Sequence, residues 1–196
     1  MLDDGDGILY NKWNQFREGY QLRILFLINF AGKAGTEKYV ENLVRIFSAA
    51  NNDCRLAYNI SGELSEKLAA RGVPCFQIKL DGNPLAAAKQ LAAYCREHEI
   101  EVIHAQYPRE NIIALLSLRH YAAPKVVYTN HLTIRSGLKW RVLNRIFTPR
   151  DHKIIAVCRE GRDIMVQNGV CPERIEVIYN GVEPEKAPVR DLSVRP

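Results

Sequence analysis

The sequence predicts an α/β fold: an open parallel sheet of about seven strands with helices on both faces. Three observations carry that prediction. From Leu22 onward, short runs rich in β-branched residues alternate with longer segments of helical period, the pattern of βαβ units whose strands pair in parallel. Glycine, proline and asparagine fall at the joints between these segments, where the chain must turn or a helix must stop. With 196 residues, 47% of them hydrophobic, the chain is long enough to bury one full core.

Ahead of this pattern, residues 1–21 form an extension in which Leu9, Trp13, Phe16 and Tyr20 recur at helical spacing. Such a stripe predicts an amphipathic helix, packed either on the domain or on another surface. The domain itself is expected over residues 22–183. Its first strand is 22–29, and the following TEKYVENLVRIFSA sets Tyr39 or Val40, Leu43, Val44 and Phe47 along one face able to cover a sheet. A second strand at 55–60 leads to SEKLAARG, closed by Gly72, a residue suited to the turn that ends a helix. The third strand, 75–80, precedes NPLAAAKQLAAYCREH. There Asn83 is placed to cap the first amides, and Pro84 fits a first turn that has no use for its missing N–H. Strand four spans 102–106, and the helix RENIIALLSLRHY beyond it is apolar nearly all round, so it should be packed on more than one side. Strand five, 126–130, is followed by SGLKWRVLNRIF, which groups Leu138, Val142, Leu143 and Ile146, with Arg141 and Arg145 off that face. Strands six (154–158) and seven (175–179) flank REGRDIMVQNG, again ended by glycine, and residues 184–196 read as a polar, proline-punctuated linker.

Composition narrows the function classes. The longest apolar run, Leu22 to Ala31, is broken by Arg23 and Asn29 and falls short of the ~18 residues of a membrane-spanning helix. The first residues carry Asp3, Asp4 and Asp6 instead of the basic-then-apolar order of a secretory signal, so a cytoplasmic location is expected. Five cysteines, an odd number without a C-x-x-C pair, favour reduced thiols over disulfides or zinc. The net charge of +5 is concentrated: residues 131–153 hold Arg135, Lys139, Arg141, Arg145, Arg150 and Lys153 against Asp151 alone. A face of this kind suits a phosphate-bearing partner, and a plain solvated surface has the same composition. Nucleic acid is not the expected partner, because these cations lack interleaved aromatics and no recognised binding motif is present. For residues 135–150 two readings stand: peripheral attachment to an anionic membrane at its inner face, or packing of the apolar face against the sheet.

In an open parallel sheet, ligands bind beyond the carboxyl ends of the strands, where loops and helix N-termini converge. The residues following each strand are therefore the candidates. After the first strand, NFAGKAGTEKYV places Gly32 and Gly35 ahead of a helix; glycine lets backbone approach a ligand, and free amides at a helix start favour a diphosphate. The stretch matches neither G-x-G-x-x-G nor the P-loop, which argues against a dinucleotide or triphosphate site of the usual style. After the fourth strand comes HAQYPRENI, with His104, Tyr107, Arg109 and Glu110; after the fifth comes TNHLTIRSG, with Asn130 and His131. A lone histidine is commonly a structural hydrogen-bonder, and its place at a strand end is what makes His131 a candidate. Cys158, at the end of the sixth strand, has no acid–base partner nearby in sequence. No G-x-S-x-G elbow, H-E-x-x-H pair or cluster of metal ligands is present, so neither metal nor cofactor is expected.

Taken together, RILFLINFAGKAGTEKYVENL, VIHAQYPRENIIALL, VVYTNH and above all IIAVCREGRDIMVQNGVCPERIEVIYNGVEPEK resemble the N-terminal half of a family-four glycosyltransferase. Such enzymes set two Rossmann-like domains across a cleft, the GT-B fold. The likeness spans about residues 22–186. It implies transfer of a sugar from a nucleotide-sugar donor to a carbohydrate or lipid-linked acceptor, with retention of anomeric configuration and no catalytic metal. Under the resemblance, Gly35 and Thr36 match the glycine loop at the donor diphosphate, and Glu37 matches the acid after it. His131 matches the catalytic-site histidine beside the reacting sugar, and Asn180 and Gly181 match the turn toward the interdomain hinge. Tyr107, Arg109 and Asn130 are expected to line the acceptor side. There are departures: Ala34 stands where the family commonly has a second glycine, Cys158 replaces a serine often seen there, and the leader through Gln21 has no counterpart.

In the family the chain continues past YNGVEPEK into a second domain that holds most donor contacts, including a pair of glutamates. No such pair follows here, so half an enzyme is expected, inactive or weakly active unless a C-terminal domain is supplied in cis or in trans. The alternatives are one subunit of a split transferase and a non-catalytic Rossmann-like binding or scaffold module.

Overall fold

The computed structural model describes residues 20–181, so the expected N-terminal helix and the linker 184–196 lie outside the described residues. Strands and helices alternate as β1 (Arg23–Phe30), α1 (Gly35–Ala49), β2 (Asp53–Ile60), α2 (Glu63–Ala70), β3 (Cys75–Gln77), α3 (Pro84–Glu97) and β4 (Val102–Ala105). They continue as α4 (Pro108–Ser117), β5 (Lys125–Asn130), α5 (Leu138–Phe147), β6 (Lys153–Ala156), α6 (Arg159–Gln167) and β7 (Ile175–Val177). The seven strands form one sheet in the order β3-β2-β1-β4-β5-β6-β7, every neighbouring pair parallel. Strand order therefore reverses between β1 and β4, which opens a crevice at their carboxyl ends.

The continuous apolar run of β1 is explained by its place at the centre of the sheet, covered on both faces. Successive side chains point to opposite sides. Leu25 and Leu27 enter a core layer with Ala88 and Leu91 of α3 and Ile113 and Ala114 of α4. Ile24, Phe26 and Ile28 enter the other, with Val40 and Val44 of α1 and Leu64 and Leu68 of α2. Each such large side chain contributes about 1.5–3 kcal/mol of burial. Around α4, Ile113, Ala114 and Leu115 are buried together with Glu110, Asn111 and Ser117, which is the many-sided packing its composition predicts. Helix boundaries follow their signals too. The Asn83 side chain accepts from the Leu85 amide at 2.9 Å with Pro84 in the first turn of α3, and Gly169 ends α6 at φ 81°.

Three strands are shorter than their apolar runs. β3 ends at Gln77 instead of residue 80, because the Asn59 side chain on β2 accepts from the Leu80 amide and so replaces a ladder bond at this open edge. Ile78 and Leu80 stay buried. At the other edge β7 ends at Val177 instead of 179, leaving Tyr179 63% exposed. β6 ends at Ala156, and Cys158 caps α6, its Sγ accepting from the Gly161 amide at 3.2 Å.

The larger difference is α5. Its apolar residues divide: Phe147 packs against the core and Leu143 is half-buried, whereas Leu138 is 75% exposed, Val142 50% and Ile146 52%. The buried residue of this helix is Asn144, whose Nδ2 donates to the Asn168 carbonyl at 2.9 Å. Gly169 lies so close behind that a Cβ there would stand 2.5 Å from the Arg141 carbonyl oxygen. Polar contacts to the end of α6, with Phe147 against the core, thus orient α5, and the stripe of Leu138, Val142 and Ile146 faces out. Among the described residues, no helix is long and apolar enough to cross a membrane.

Candidate active site

The glycine loop leaves β1 at Ala31 and is pinned from the β2–α2 side. The Ala31 amide donates to the Ile60 carbonyl at 2.9 Å, while the Ala31 and Gly32 carbonyls both accept from the Leu64 amide. Gly62 permits this approach, since a Cβ there would sit 2.8 Å from the Ala31 oxygen. Ala34 occupies the N-cap of α1 and has no side chain with which to cap it. Gly35 is exposed, with nothing within 4 Å of where a Cβ would be. A helix start left uncapped and open in this way presents amides suited to an anion. Thr36 and Glu37 in the same turn are buried; Thr36 Oγ1 accepts from the Tyr107 hydroxyl at 2.9 Å, and Glu37 Oε2 has no partner among the described residues.

His131 follows β5 and is half-buried. Its ring stands edge-on to Tyr39 of α1, centroids 5.0 Å apart, and tilted against Tyr107 at 6.1 Å. Its Nε2 lies 3.1 Å from Oε1 of Gln106. Gln106 is fully buried, and its Nε2 donates to the His104 carbonyl, which leaves Oε1 to accept. His131 Nε2 therefore carries the proton and Nδ1 carries the lone pair. Burial holds His131 down at about 4, so the ring is neutral near neutral pH. Behind it, burial and then the nearby His131 hold His104 at about 3; its Nε2 lies 2.8 Å from Thr129 Oγ1, which is 3.4 Å from the Tyr39 hydroxyl.

Beyond the ends of β4 and β5 lies a cavity of ≈370 Å³, lined by residues that include Tyr107, Arg109, Asn130, Trp140, Met165 and Asn168. Arg109 donates to the Gly82 carbonyl at 3.3 Å. The Asn130 side chain is engaged at both ends by Leu132, donating to its carbonyl and accepting from its amide, so it shapes the loop it faces. Asn168 holds the same loop from the other side, accepting from the Ser136 amide and donating to the Ile134 carbonyl. Tyr107 belongs to every part of this arrangement: the glycine loop through Thr36, the His131 ring and the cavity wall. Asn180 and Gly181 stand apart from it, exposed beyond β7, with β5 and β6 between that edge strand and β4.

Sequence reasoning missed Gln106, Asn168 and the interior acid Asp151, and it named Glu110 as a candidate without foreseeing its burial. Glu110, in the first turn of α4, and Asp151, just before β6, are each 1% exposed, and burial pushes each carboxyl up to about 7. Asp151 accepts from Asn111 Nδ2 at 3.0 Å. Burial, followed by these two acids, raises Tyr128 on the cavity wall well above the usual phenol range. Among the described residues, no group of three or more His, Cys, Asp or Glu side chains is arranged to hold a metal ion.

This doubly wound parallel sheet, in which the turn after the glycine loop and the His131 ring both reach Tyr107 at the strand-order reversal, is the Rossmann-like half of the GT-B fold. Residues 34–186 match the model of Glycosyltransferase Family 4, and the chain belongs to that family. No curated protein matches it. Among solved structures, Anabaena Alr3699/HepE in complex with UDP-glucose is similar at TM-score 0.69 and 17% identity, over 83% of this chain and 45% of its own. A glycosyltransferase from Rickettsia africae ESF-5 is similar at 0.70 and 16%, over 83% and 44%. The lipopolysaccharide outer core galactosyltransferase WaaB, in its apo form, is similar at 0.64 and 15%, over 87% and 50%. The chain thus spans about half the length of these structures, and at such identities the likeness establishes the fold alone.

Proposed function

We propose that this chain forms the N-terminal, acceptor-side half of a retaining glycosyltransferase, working with a donor-binding C-terminal domain supplied in cis or in trans. It moves a sugar from a nucleotide-sugar donor to a carbohydrate or lipid-linked acceptor held in the cavity of Tyr107, Arg109 and Asn130. The observation that carries this reading is the convergence on Tyr107, which joins the uncapped start of α1, the His131 ring and the cavity wall. Family membership supports the reaction class, and a neighbour solved with UDP-glucose supports the donor class.

In the transfer, the bond between the anomeric carbon and the diphosphate oxygen breaks, and its electron pair leaves with the diphosphate. A bond to the acceptor oxygen forms on the same face of the ring, and the acceptor proton passes to the departing diphosphate oxygen on that face. The α1 amides around Gly35 and Thr36 stabilise the leaving charge, the kind of preorganised donor that favours a transition state over a ground state. A neutral His131 accepts a sugar hydroxyl at Nδ1 without placing a cation beside a ring that is itself becoming positive. Glu37 Oε2 is a second acceptor for hydroxyls in the same turn. Neither metal nor cofactor has a part in this reading. Five free cysteines support a reducing compartment, and we place the reaction in the cytoplasm.

Calorimetric titration of a UDP-sugar into the chain alone is expected to give a Kd near 1 mM or weaker, about −4 kcal/mol, because half of the cleft is elsewhere. In a two-domain protein completed by a family C-terminal domain, His131→Ala should lower kcat by about a hundredfold or more, with little change in donor Kd. Turnover by the chain alone at the two-domain rate would overturn the division of labour.

A further inference from the structure

We propose that the outward face of α5 is a docking surface for an anionic lipid bilayer. Leu138, Val142 and Ile146 recur at four-residue spacing and form one stripe along the helix, 75%, 50% and 52% exposed. At about 100° per residue, Arg141 and Arg145 fall along one margin of that stripe and Lys139 along the other. The loop entering the helix continues the theme, with Ile134 60% exposed beside an exposed Arg135. Apolar depth with cations on both margins is the geometry of a helix lying in the headgroup plane.

Three further observations point to this occupant. First, the stripe is not the packing face of the helix, because α5 is seated by its opposite side, through Asn144 to Asn168, Phe147 against the core and the close approach of Gly169. Second, the cations are unspent: among the described residues no ion pair involves Arg135, Lys139, Arg141 or Arg145. Third, the one carboxylate of the segment, Asp151, is buried and does not offset them at the surface. A protein partner matched to this face would need its own row of carboxylates around an apolar ridge, whereas an anionic bilayer offers both everywhere. Ser136, Gly137 and Trp140, at the start of the same helix, line the cavity, so a docked α5 brings the cavity to headgroup level.

The test is co-sedimentation of the full chain with phosphatidylcholine vesicles, with and without phosphatidylglycerol, at low and high salt. Binding at least tenfold tighter to the anionic vesicles and weakened by salt is expected. Arg141→Gln and Arg145→Gln should each weaken it roughly fivefold. Val142→Glu with Ile146→Glu should abolish it while leaving the circular dichroism and Tm unchanged, since both side chains are half exposed. Equal partition into neutral and anionic vesicles, or no partition into either, overturns the proposal. So does a dimer in sedimentation velocity that Val142→Glu disperses, which would assign the stripe to a second copy. No donor or acceptor enters these measurements, so their outcome is independent of the transfer reading.

Discussion

At Gln106 the orientation of one buried amide sets the protonation pattern of its neighbour. Because Nε2 is committed to the His104 carbonyl, Oε1 is left for the His131 N–H, and the lone pair of His131 is directed through Nδ1. Gln106→Glu places a carboxylate in that position and should raise His131 from about 4 toward its ordinary 6.5 or beyond, read from the ring-proton titration by NMR. Gln106→Leu leaves the imidazole N–H without a partner, which should cost about 1–3 kcal/mol in urea unfolding and shift the ring nitrogens toward the other tautomer. Nothing in HAQYP announces this role. His131 was legible because it ends a strand at the edge where ligands bind, whereas a glutamine two residues after a strand histidine carries no pattern of its own. The burial of Glu110 and Asp151 was hidden for a related reason: each sits among polar neighbours in sequence, and only the packing of α4 on the sheet, which brings Glu110 to the Asn29 backbone and Asn111 to Asp151, encloses them.

Between elements, the joint of α5 with the end of α6 can be tested with two glycines of nearly equal φ. Gly72 and Gly169 sit at 79° and 81°, but a Cβ on Gly72 meets nothing within 4 Å, while one on Gly169 meets the Arg141 carbonyl at 2.5 Å. Gly72→Ala should therefore cost only the left-handed backbone, about 1 kcal/mol. Gly169→Ala adds a displacement of α5 and should cost at least about 2 kcal/mol, both measured by urea unfolding. Equal costs would mean that α5 is loosely seated. Every strand and every α-helix among the described residues was legible from its period and from the glycines, prolines and asparagines at the joints, whereas the short 3-10 turns Thr148–Arg150 and Pro172–Arg174 were not. The side α5 would turn inward was not: periodicity finds a stripe, and Asn144 meeting Asn168 decides which way it points. The short edge strands follow from the same kind of distant contact, as when the Asn59 side chain takes the Leu80 amide.

For the molecule as a whole, buried titratable groups pull stability in opposite directions with pH. Glu110 and Asp151 are held up near 7, so their contribution favours the folded state at low pH and is lost as pH rises through about 7. His104 and His131 are held down at about 3 and 4, so unfolding takes up protons below about 6.5 and stability falls as the solution is acidified. Between about 4.5 and 6.5 the two effects oppose each other, and below about 4 the histidines act alone. Asp151→Asn keeps an acceptor for Asn111 and removes one acid. Relative to wild type it should gain roughly 2–3 kcal/mol as pH is raised from about 5 to 8, measured by urea unfolding at both values. A constant gap would mean that Asp151 ionises as an ordinary surface carboxylate.

The register of the sheet also governs how this chain must be born. Ile24 pairs on one side with Cys54 but on the other with Val102, 78 residues further on. A ribosome adding about 5–20 residues per second leaves the most apolar strand without its second neighbour for roughly 4 to 16 s. During that interval its bare flank is open to wrong pairing with other nascent polypeptides, and shielding by a chaperone, or a slowed initiation that keeps neighbouring chains apart, would raise the yield of native protein.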